Sequence, residues 1–230
     1  MSPNNIRLTL EIGLRGKRVV AVAPDWPGLE RGAATEEAAI ERLLSCVSRY
    51  APVAKLARME AEFATGTTGT TDTTVDVVER YPGTGSTDFW GISFAFSSVD
   101  QQAISGKELE RELTLMQACW AFFDDVRSRV SAEMQKGPRG GGRDRDRIVR
   151  YVHFTERDWA KMVGVITPGE TVLTGEELNA YRDEYCNAIR AFHSEGKMAR
   201  KWPLRYLIRH TAFHTLDHAW EMEDKDLTAK

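Results

Sequence analysis

The sequence predicts an α+β protein in which a small α/β region, residues 1–95, precedes a four-helix bundle, residues 96–230. Short β-branched segments bounded by glycine and proline dominate the first region and indicate strands. Apolar residues that recur at every third or fourth position dominate the second region and indicate amphipathic helices. The four helical segments are joined by loops of about 8–12 residues, which is typical of neighbouring helices in a bundle.

Three short strands and a helix follow one another at the start of the first region. The segments LTLEIG and RVVAVAP predict a hairpin around residues 15–17, and DWPGLERGA adds a turn and a short strand. Thr35 is a good N-cap, so a helix is expected to begin there. We expect Pro52 to kink or split this helix, and TTVDVVERY to form a further strand.

The second region carries clear helix boundaries. Ser105 and Thr174 each stand three residues before a glutamate, which predicts two capping boxes. A helix of about 25 residues follows the first box, and a second helix is expected over 144–163, after the loop GPRGGGRDRDR. Gly196 is the expected C-cap of the third helix, and Pro203 is expected in the first turn of the fourth.

Composition limits the partners that this chain can be expected to have. The 230 residues are 42% hydrophobic and 28% charged, as in soluble globular proteins, and the net charge of −3 favours neither nucleic acid nor an anionic membrane. We expect no membrane span and no signal peptide, because no long apolar run occurs and the first residues lack a basic segment followed by an apolar core. Three widely spaced cysteines, Cys46, Cys119 and Cys186, indicate reduced thiols and a cytoplasmic location.

Three histidines four residues apart stand in the last predicted helix, in RHTAFHTLDHAWEMED. Residues at this spacing lie along one stripe of a helix, so His210, His214 and His218 are expected to share a face. Asp217 and Glu221 fall within about 20° of His210 on the same helical wheel. Imidazole and carboxylate groups are ligands of divalent transition metals, so this stripe is a candidate metal site. A solvated polar face is the alternative interpretation.

A pair of histidines needs a third ligand from another element. His153 lies at the edge of the apolar stripe of the second predicted helix and is the candidate. His193, beside a serine and a glutamate at the end of the third helix, is interpreted as solvated and is left out.

A four-helix bundle with one histidine on its second helix and HxxxH near the chain end resembles the DinB/YfiT-like metalloenzyme superfamily. The likeness covers about residues 100–230 and depends on His153, in YVHFTERDW, and on His214 and His218, in HTLDHAWEME. Many relatives carry Gly-Gln where this chain has Ala-Trp-Glu, so His210 with His214 is an alternative pair. We favour the later pair because Glu221 stands in the place of the family's polar residue.

The resemblance implies a divalent metal, zinc first and nickel or iron as alternatives, on three imidazoles with open coordination positions. It also implies a small-molecule substrate. Some members of the superfamily use such a site for transfer or isomerisation with a low-molecular-weight thiol such as mycothiol, bacillithiol or glutathione. Glu221 and Asp217 would then be the catalytic groups that move protons, or would orient the imidazoles, and Glu221 is also a candidate fourth ligand. Surface charge near a helix end is the other interpretation.

The loop GPRGGGRDRDR leads into the helix that bears His153. Arg139, Arg143 and Arg145, with the backbone amides of that helix start, could hold the carboxylate or phosphate of a cofactor. The segment is not a P-loop, since the Lys-Ser/Thr ending is absent. A flexible solvated linker is the alternative.

The first region resembles the HicB-like antitoxin fold. The likeness spans about 45 residues and depends on PDWPG followed, after a short strand, by a helix that begins TEEA. HicB-like proteins bind a toxin and, through a separate module, DNA, but no such DNA-binding module is visible in this chain. The expected role is therefore packing, closure of a pocket or formation of a homodimer.

Together these observations predict a metal-dependent enzyme that acts on a small molecule, with a low-molecular-weight thiol as candidate nucleophile. Transferase, isomerase and hydrolase chemistry all stay open. Two other classes remain as alternatives. One is a non-catalytic, stress-related protein that binds a metal or a small ligand, and the other is a protein-interaction module that works through the HicB-like region.

Overall fold

The chain folds around one mixed sheet and a set of long helices, which confirms the α+β class. The computed structural model describes residues 5–67, 74–138, 141–167, 169 and 172–228. The strands of the described sheet are β1 (Asn5–Ile12), β2 (Val19–Val22), β3 (Glu30–Ala33) and β4 (Thr74–Pro82). Their order is β3-β2-β1-β4, with β1 antiparallel to β2 and parallel to β4. The predicted hairpin, the short third strand and the strand in TTVDVVERY are all present.

Three helices follow β3, namely α1 (Glu36–Ser45), α2 (Val47–Leu56) and α3 (Glu60–Thr67). Thr35 Oγ1 accepts a hydrogen bond from the Ala38 amide at 3.2 Å, so the predicted N-cap is confirmed. The expected split at Pro52 is wrong, because the helix divides at Cys46 and Pro52 lies inside α2. Turning at Cys46 allows both helices to bury an apolar face, with Leu43 of α1 and Tyr50 of α2 fully buried.

Two short helices connect the sheet to the long helices and were not predicted. They are α4 (Gly85–Trp90) and α5 (Ser98–Gln101). Each begins with a capping box, in which Thr84 pairs with Thr87 and Ser97 pairs with Asp100. These caps hold the connection in a fixed path between the sheet and the helices that follow.

The four predicted long helices are confirmed as α6 (Gly106–Arg129), α7 (Arg145–Ala160), α8 (Gly175–Ser194) and α9 (Leu204–Asp224). A 3-10 turn over Lys161–Val163 extends α7 to the predicted end of the second helix. α9 packs most extensively on α6 and also on α7, while α6 packs on α2 and α8 as well. Within the described part of the chain, none of the helices is long and apolar enough to cross a membrane.

The helix ends agree with the sequence at some positions and differ at others. The box at Ser105 forms, since Ser105 Oγ accepts from the Glu108 amide at 3.3 Å and Glu108 accepts from the Ser105 amide at 2.8 Å. The box at Thr174 does not form, because the Thr174 side chain makes no capping hydrogen bond. Gly196 follows the C-cap of α8 with a φ of +63°, and Pro203 is the N-cap of α9 rather than a residue of its first turn.

The PDWPG turn inserts between the two parts of the fold. Gly28 has a φ of +99°, and a Cβ at this position would lie 3.3 Å from both Cys119 Sγ of α6 and Leu216 Cδ2 of α9. Trp26 packs edge-on against Phe63, with ring centroids 4.8 Å apart, in a core that is continuous from the sheet to α9. Glycine is therefore required by both the backbone angle and the close approach of the helices.

A buried charge network also joins the sheet to α9. The Arg209 guanidinium donates to Asp100 at 2.6 and 2.8 Å, to Glu30 of β3 at 3.2 Å and to Ser93 Oγ at 3.1 Å. All four residues are buried. Buried charges persist when they are paired and hydrogen-bonded, so the network fixes α9 relative to the sheet.

Candidate functional site

The candidate site is the histidine row, His210, His214 and His218, on the face of α9 that meets α7. The imidazole of His214 lies with its ring centroid 4.7 Å from that of His218. Tyr151 and Trp159 of α7 flank it, with ring centroids 5.2 and 5.1 Å away. The shared stripe predicted from the spacing is therefore present, and the wall facing it is aromatic.

His218 is oriented by a carboxylate. Its Nδ1 lies 2.6 Å from Glu221 Oε2, and because the carboxylate can only accept, Nδ1 carries the proton. Glu221 is itself held by Lys225 at 2.5 Å and by Arg143 at 3.0 Å. Burial raises the pKa of Glu221, but the hydrogen bonds from His218 and Lys225, with the charge of Arg143, outweigh it and lower the pKa to about 2. In the neutral form of the ring, this hydrogen bond therefore leaves the lone pair on Nε2 of His218.

His214 has two buried ring nitrogens, and neither has a hydrogen-bond partner among the described residues. Burial, and then the neighbouring His218, His210 and Arg143, hold the pKa of His214 well below its ordinary value. The ring is therefore neutral near pH 7 and keeps one lone pair. An unpartnered buried donor and acceptor are costly, so a ligand at this ring would stabilise the fold.

His210 is enclosed more deeply by aromatic rings. It stacks on Tyr206 with ring centroids 5.1 Å apart and lies 4.9 Å from Trp159 and 5.5 Å from Trp202. Burial, with the charge of Arg209, lowers the pKa of His210 to about 3. Its Nδ1 also lacks a hydrogen-bond partner among the described residues. The ring of His210 packs against aromatic side chains such as Tyr206 rather than against the ring of His214.

The structure does not bring His153 to the histidine row. Tyr151 of α7 faces the row, and a residue two positions later on a helix is turned by about 200°. His153 therefore faces α6, with its ring centroid 6.3 Å from that of Phe123, and both of its nitrogens are buried without a described partner. Across the described ranges, no three or more His, Cys, Asp and Glu side chains are grouped so that they could hold a metal ion.

His153 instead lies in a second polar cluster inside the helical part, which the sequence analysis missed. Glu156 of α7 is buried there near Trp120 of α6 and Arg182 of α8, and burial raises the pKa of Glu156 to about 7. Trp120 and the Tyr181 hydroxyl lie at this carboxyl and lower its pKa against the effect of burial, while Arg182 Nε finds no hydrogen-bond partner within the described residues. The sequence signal for this cluster was Glu156 itself, a glutamate on the apolar face of α7 three residues after His153.

The second expected catalytic residue lies apart from the row. Asp217 forms an ion pair with Arg31 of β3 at 3.4 Å, and its side chain is half exposed. The Arg31 guanidinium also covers the ring of Trp220 at 4.4 Å. In the structure, Asp217 therefore connects α9 to the sheet.

One of the three loop arginines joins the site. Arg143 contacts Glu221, and its guanidinium lies 4.6 Å from the ring centroid of Tyr151. Arg145 pairs with the carboxylate of the next residue at 2.9 Å and reaches the carbonyl of Val130 at 3.4 Å, at the end of α6. Arg139 lies outside the described residues. An anion at the row could therefore meet the guanidinium of Arg143.

The aromatic wall of the site was also missed by sequence reasoning. Tyr151 and Trp159 are eight residues apart on α7, the same separation as His210 and His218 on α9. This matched spacing was the available signal, but it becomes informative only once α7 and α9 are known to pack side by side.

Protein-family models, curated proteins and solved structures give no match to this chain. A function must therefore be inferred from the chemistry of the side chains themselves.

Proposed function

We propose that the protein is a metal-dependent enzyme that acts on a small molecule, with His214 and His218 as the metal ligands. One observation carries the proposal. His214 has two buried ring nitrogens without described partners, beside a His218 ring that Glu221 orients. Two imidazoles four residues apart on one helix face are a common pair of ligands for divalent transition metals.

The donor set in the structure differs from the one expected from the sequence. The combination of His153 with His214 and His218 does not fit, because His153 faces α6. His214 and His218 would supply two nitrogen ligands, and Glu221 supplies the carboxylate that commonly holds a metal-bound histidine. The described residues add no third protein ligand, so water or substrate would complete the coordination. His210 with His214 remains the alternative pair, and zinc remains the first expectation, ahead of nickel and iron.

A bound divalent metal would polarise a substrate oxygen or hold a thiolate, which suits transfer or isomerisation with a low-molecular-weight thiol. The side chains around the row have separate tasks. Glu221 accepts the Nδ1 proton of His218 and fixes that ring. Arg143 offers a cation to a substrate carboxylate, and Tyr151 and Trp159 exclude water from one side of His214.

The expected families also support the proposal. Four long helices with histidines near the end of the last one agree with the DinB/YfiT-like resemblance, whereas His153, the third ligand that the resemblance implies, faces α6 instead. The small sheet, with its PDWPG turn and the helix that starts at Glu36, agrees with the HicB-like resemblance. We infer a role in packing for this region, because its turn inserts between α6 and α9.

Metal content tests the site directly. Purified protein and the variants His214→Ala and His218→Ala should be compared by elemental analysis and by titration with Zn²⁺ or Ni²⁺. We expect one metal per chain in the parent and its loss in both variants. His193→Ala is the matched control, because the His193 ring contacts the carbonyl of Ile104 away from the row. His153→Ala should also keep the metal, and full metal content in both row variants would exclude this site.

Turnover separates the enzyme from the alternative classes. The metal-loaded protein should be assayed with a panel of low-molecular-weight thiols and electrophilic small molecules. Activity that is lost in His218→Ala would support the enzyme, whereas stoichiometric metal without turnover would favour the non-catalytic binding protein. Metal-free protein with unchanged stability in both row variants would favour the interaction module.

A further inference from the structure

A surface cavity lies where α2 meets α6 and the end of α9, away from the histidine row. Its volume is about 720 Å³, which is within the range of small-molecule pockets. Pro52 and Leu56 of α2 and Phe122 of α6 supply its apolar surface. Leu56 is half exposed, although a leucine of a surface helix usually turns toward the core.

The rim of this cavity carries excess positive charge. Arg49 pairs with Glu223 at 3.1 Å and with Asp224 at 2.9 Å, and Arg129 pairs with Glu223 and, at 2.9 Å, with Asp125, which also lines the cavity, so the charges of both arginines are largely compensated. Lys55 and Arg58 also line the cavity, and neither has an acidic partner among the described residues. Two uncompensated cations thus stand beside an apolar surface.

Arg58 occupies a backbone position that favours glycine. Its φ is +58°, directly after the C-cap of α2, and the Met59 amide donates back to the carbonyl of Ala54 at 2.8 Å. Helices commonly end with a glycine in this left-handed conformation. Arg58 therefore carries a long cationic side chain at a position where arginine has a conformational cost. Because this side chain also lines the cavity, a role in binding a ligand would explain it.

We propose that this cavity binds a small molecule with one anionic head group, a carboxylate or a phosphate, on an apolar body. Lys55 and Arg58 would contact the head group, and the body would lie against Pro52, Leu56 and Phe122. None of the three histidines of the row lines the cavity, so a ligand bound there would not contact the proposed metal ligands.

The ligand class can be tested on the full chain by titration calorimetry with four probes. Octanoate and octyl phosphate carry both required features, octanol lacks the charge, and acetate lacks the apolar body. We expect saturable binding of at least one of the first two, and at least about ten-fold weaker binding of octanol and acetate. Equal affinity for octanoate and octanol, or no binding of either anionic probe, would overturn the proposal.

Substitution of Arg58 separates binding from folding. Arg58→Gly removes the guanidinium and relieves the backbone, so the variant should remain folded while the anionic probe binds about ten-fold more weakly. Arg200→Gly is the matched control, because Arg200 has a φ of +56° and lies outside the cavity. This variant should bind the anionic probe as tightly as the parent. Lys55→Gln should weaken binding as well. Unchanged affinity in both cavity variants would place the binding elsewhere on the chain and overturn the proposal.

Discussion

At the scale of single residues, removal of the Arg209 side chain should lower the free energy of unfolding most. Arg209→Ala would leave the Glu30 and Asp100 carboxylates buried without their cation, a loss of about 3–5 kcal/mol in the free energy of unfolding. Urea unfolding measures this. Arg190→Ala, which breaks an exposed pair with Glu110, should cost no more than about 1 kcal/mol. Similar values for the two variants would contradict the role given to the network.

Glu156 should make stability depend on pH. Burial raises its pKa to about 7 from an ordinary value of 4.5, so the protonated carboxyl stabilises the fold fully below pH 4.5 and that stabilisation is lost as pH rises through 7. The loss between these values is at most about 1.4 kcal/mol per pH unit. Glu156→Gln lacks this slope and should become more stable than the parent above about pH 7, by a few kcal/mol.

Denaturant titrations at about pH 5 and about pH 8 measure this difference. The exposed Glu176→Gln serves as the control and should follow the parent at both pH values. Parallel pH profiles for the parent and Glu156→Gln would show that the buried carboxyl is not what titrates.

The histidines show what spacing can predict and what it cannot. His210, His214 and His218 share a stripe because helix geometry alone fixes their relative directions. The direction of His153 depends on how α7 is rotated about its axis against α6, α8 and α9. A residue at the edge of an apolar stripe can face either of two neighbouring helices. Long-range packing decides which one it faces, and no local sequence pattern contains that information.

At the scale of elements, helix caps offer a matched pair of substitutions. Ser105→Ala removes a capping box that forms, and should destabilise the protein by about 1 kcal/mol. Thr174→Ala removes a threonine whose side chain makes no capping bond, and should change the stability by only a few tenths of a kcal/mol. Thermal unfolding compares the two, and equal effects would mean that Thr174 caps α8 in solution.

Local patterns predicted most elements but few of their partners. Periodicity placed α6, α7, α8 and α9, and β-branched alternation placed β4, because these signals lie within each segment. The parallel pairing of β1 with β4 joins Ile6 to Val75 across a long stretch of chain, so no segment contains its signal. The short helices α4 and α5 lack a full amphipathic repeat and were missed for the same reason.

At the scale of the molecule, the sheet and the long helices should unfold together. The apolar core is continuous, the PDWPG turn inserts between α6 and α9, and Arg209 pairs with β3. Calorimetry should therefore show one transition whose calorimetric and van't Hoff enthalpies agree. Residues 1–95 and 96–230, expressed separately, should each fail to give a cooperative transition. Two resolved transitions of the whole chain would contradict this expectation.

The pairing of Arg209 with Glu30 also determines when the protein can finish folding during its synthesis. These partners are 179 residues apart, and a ribosome needs on the order of ten seconds or more to make that length of chain. Until α9 has been made and has left the ribosome, Glu30 lacks the Arg209 guanidinium, and the turn at Gly28 lacks its contact with α9. The native state can therefore form only after α9 has left the ribosome.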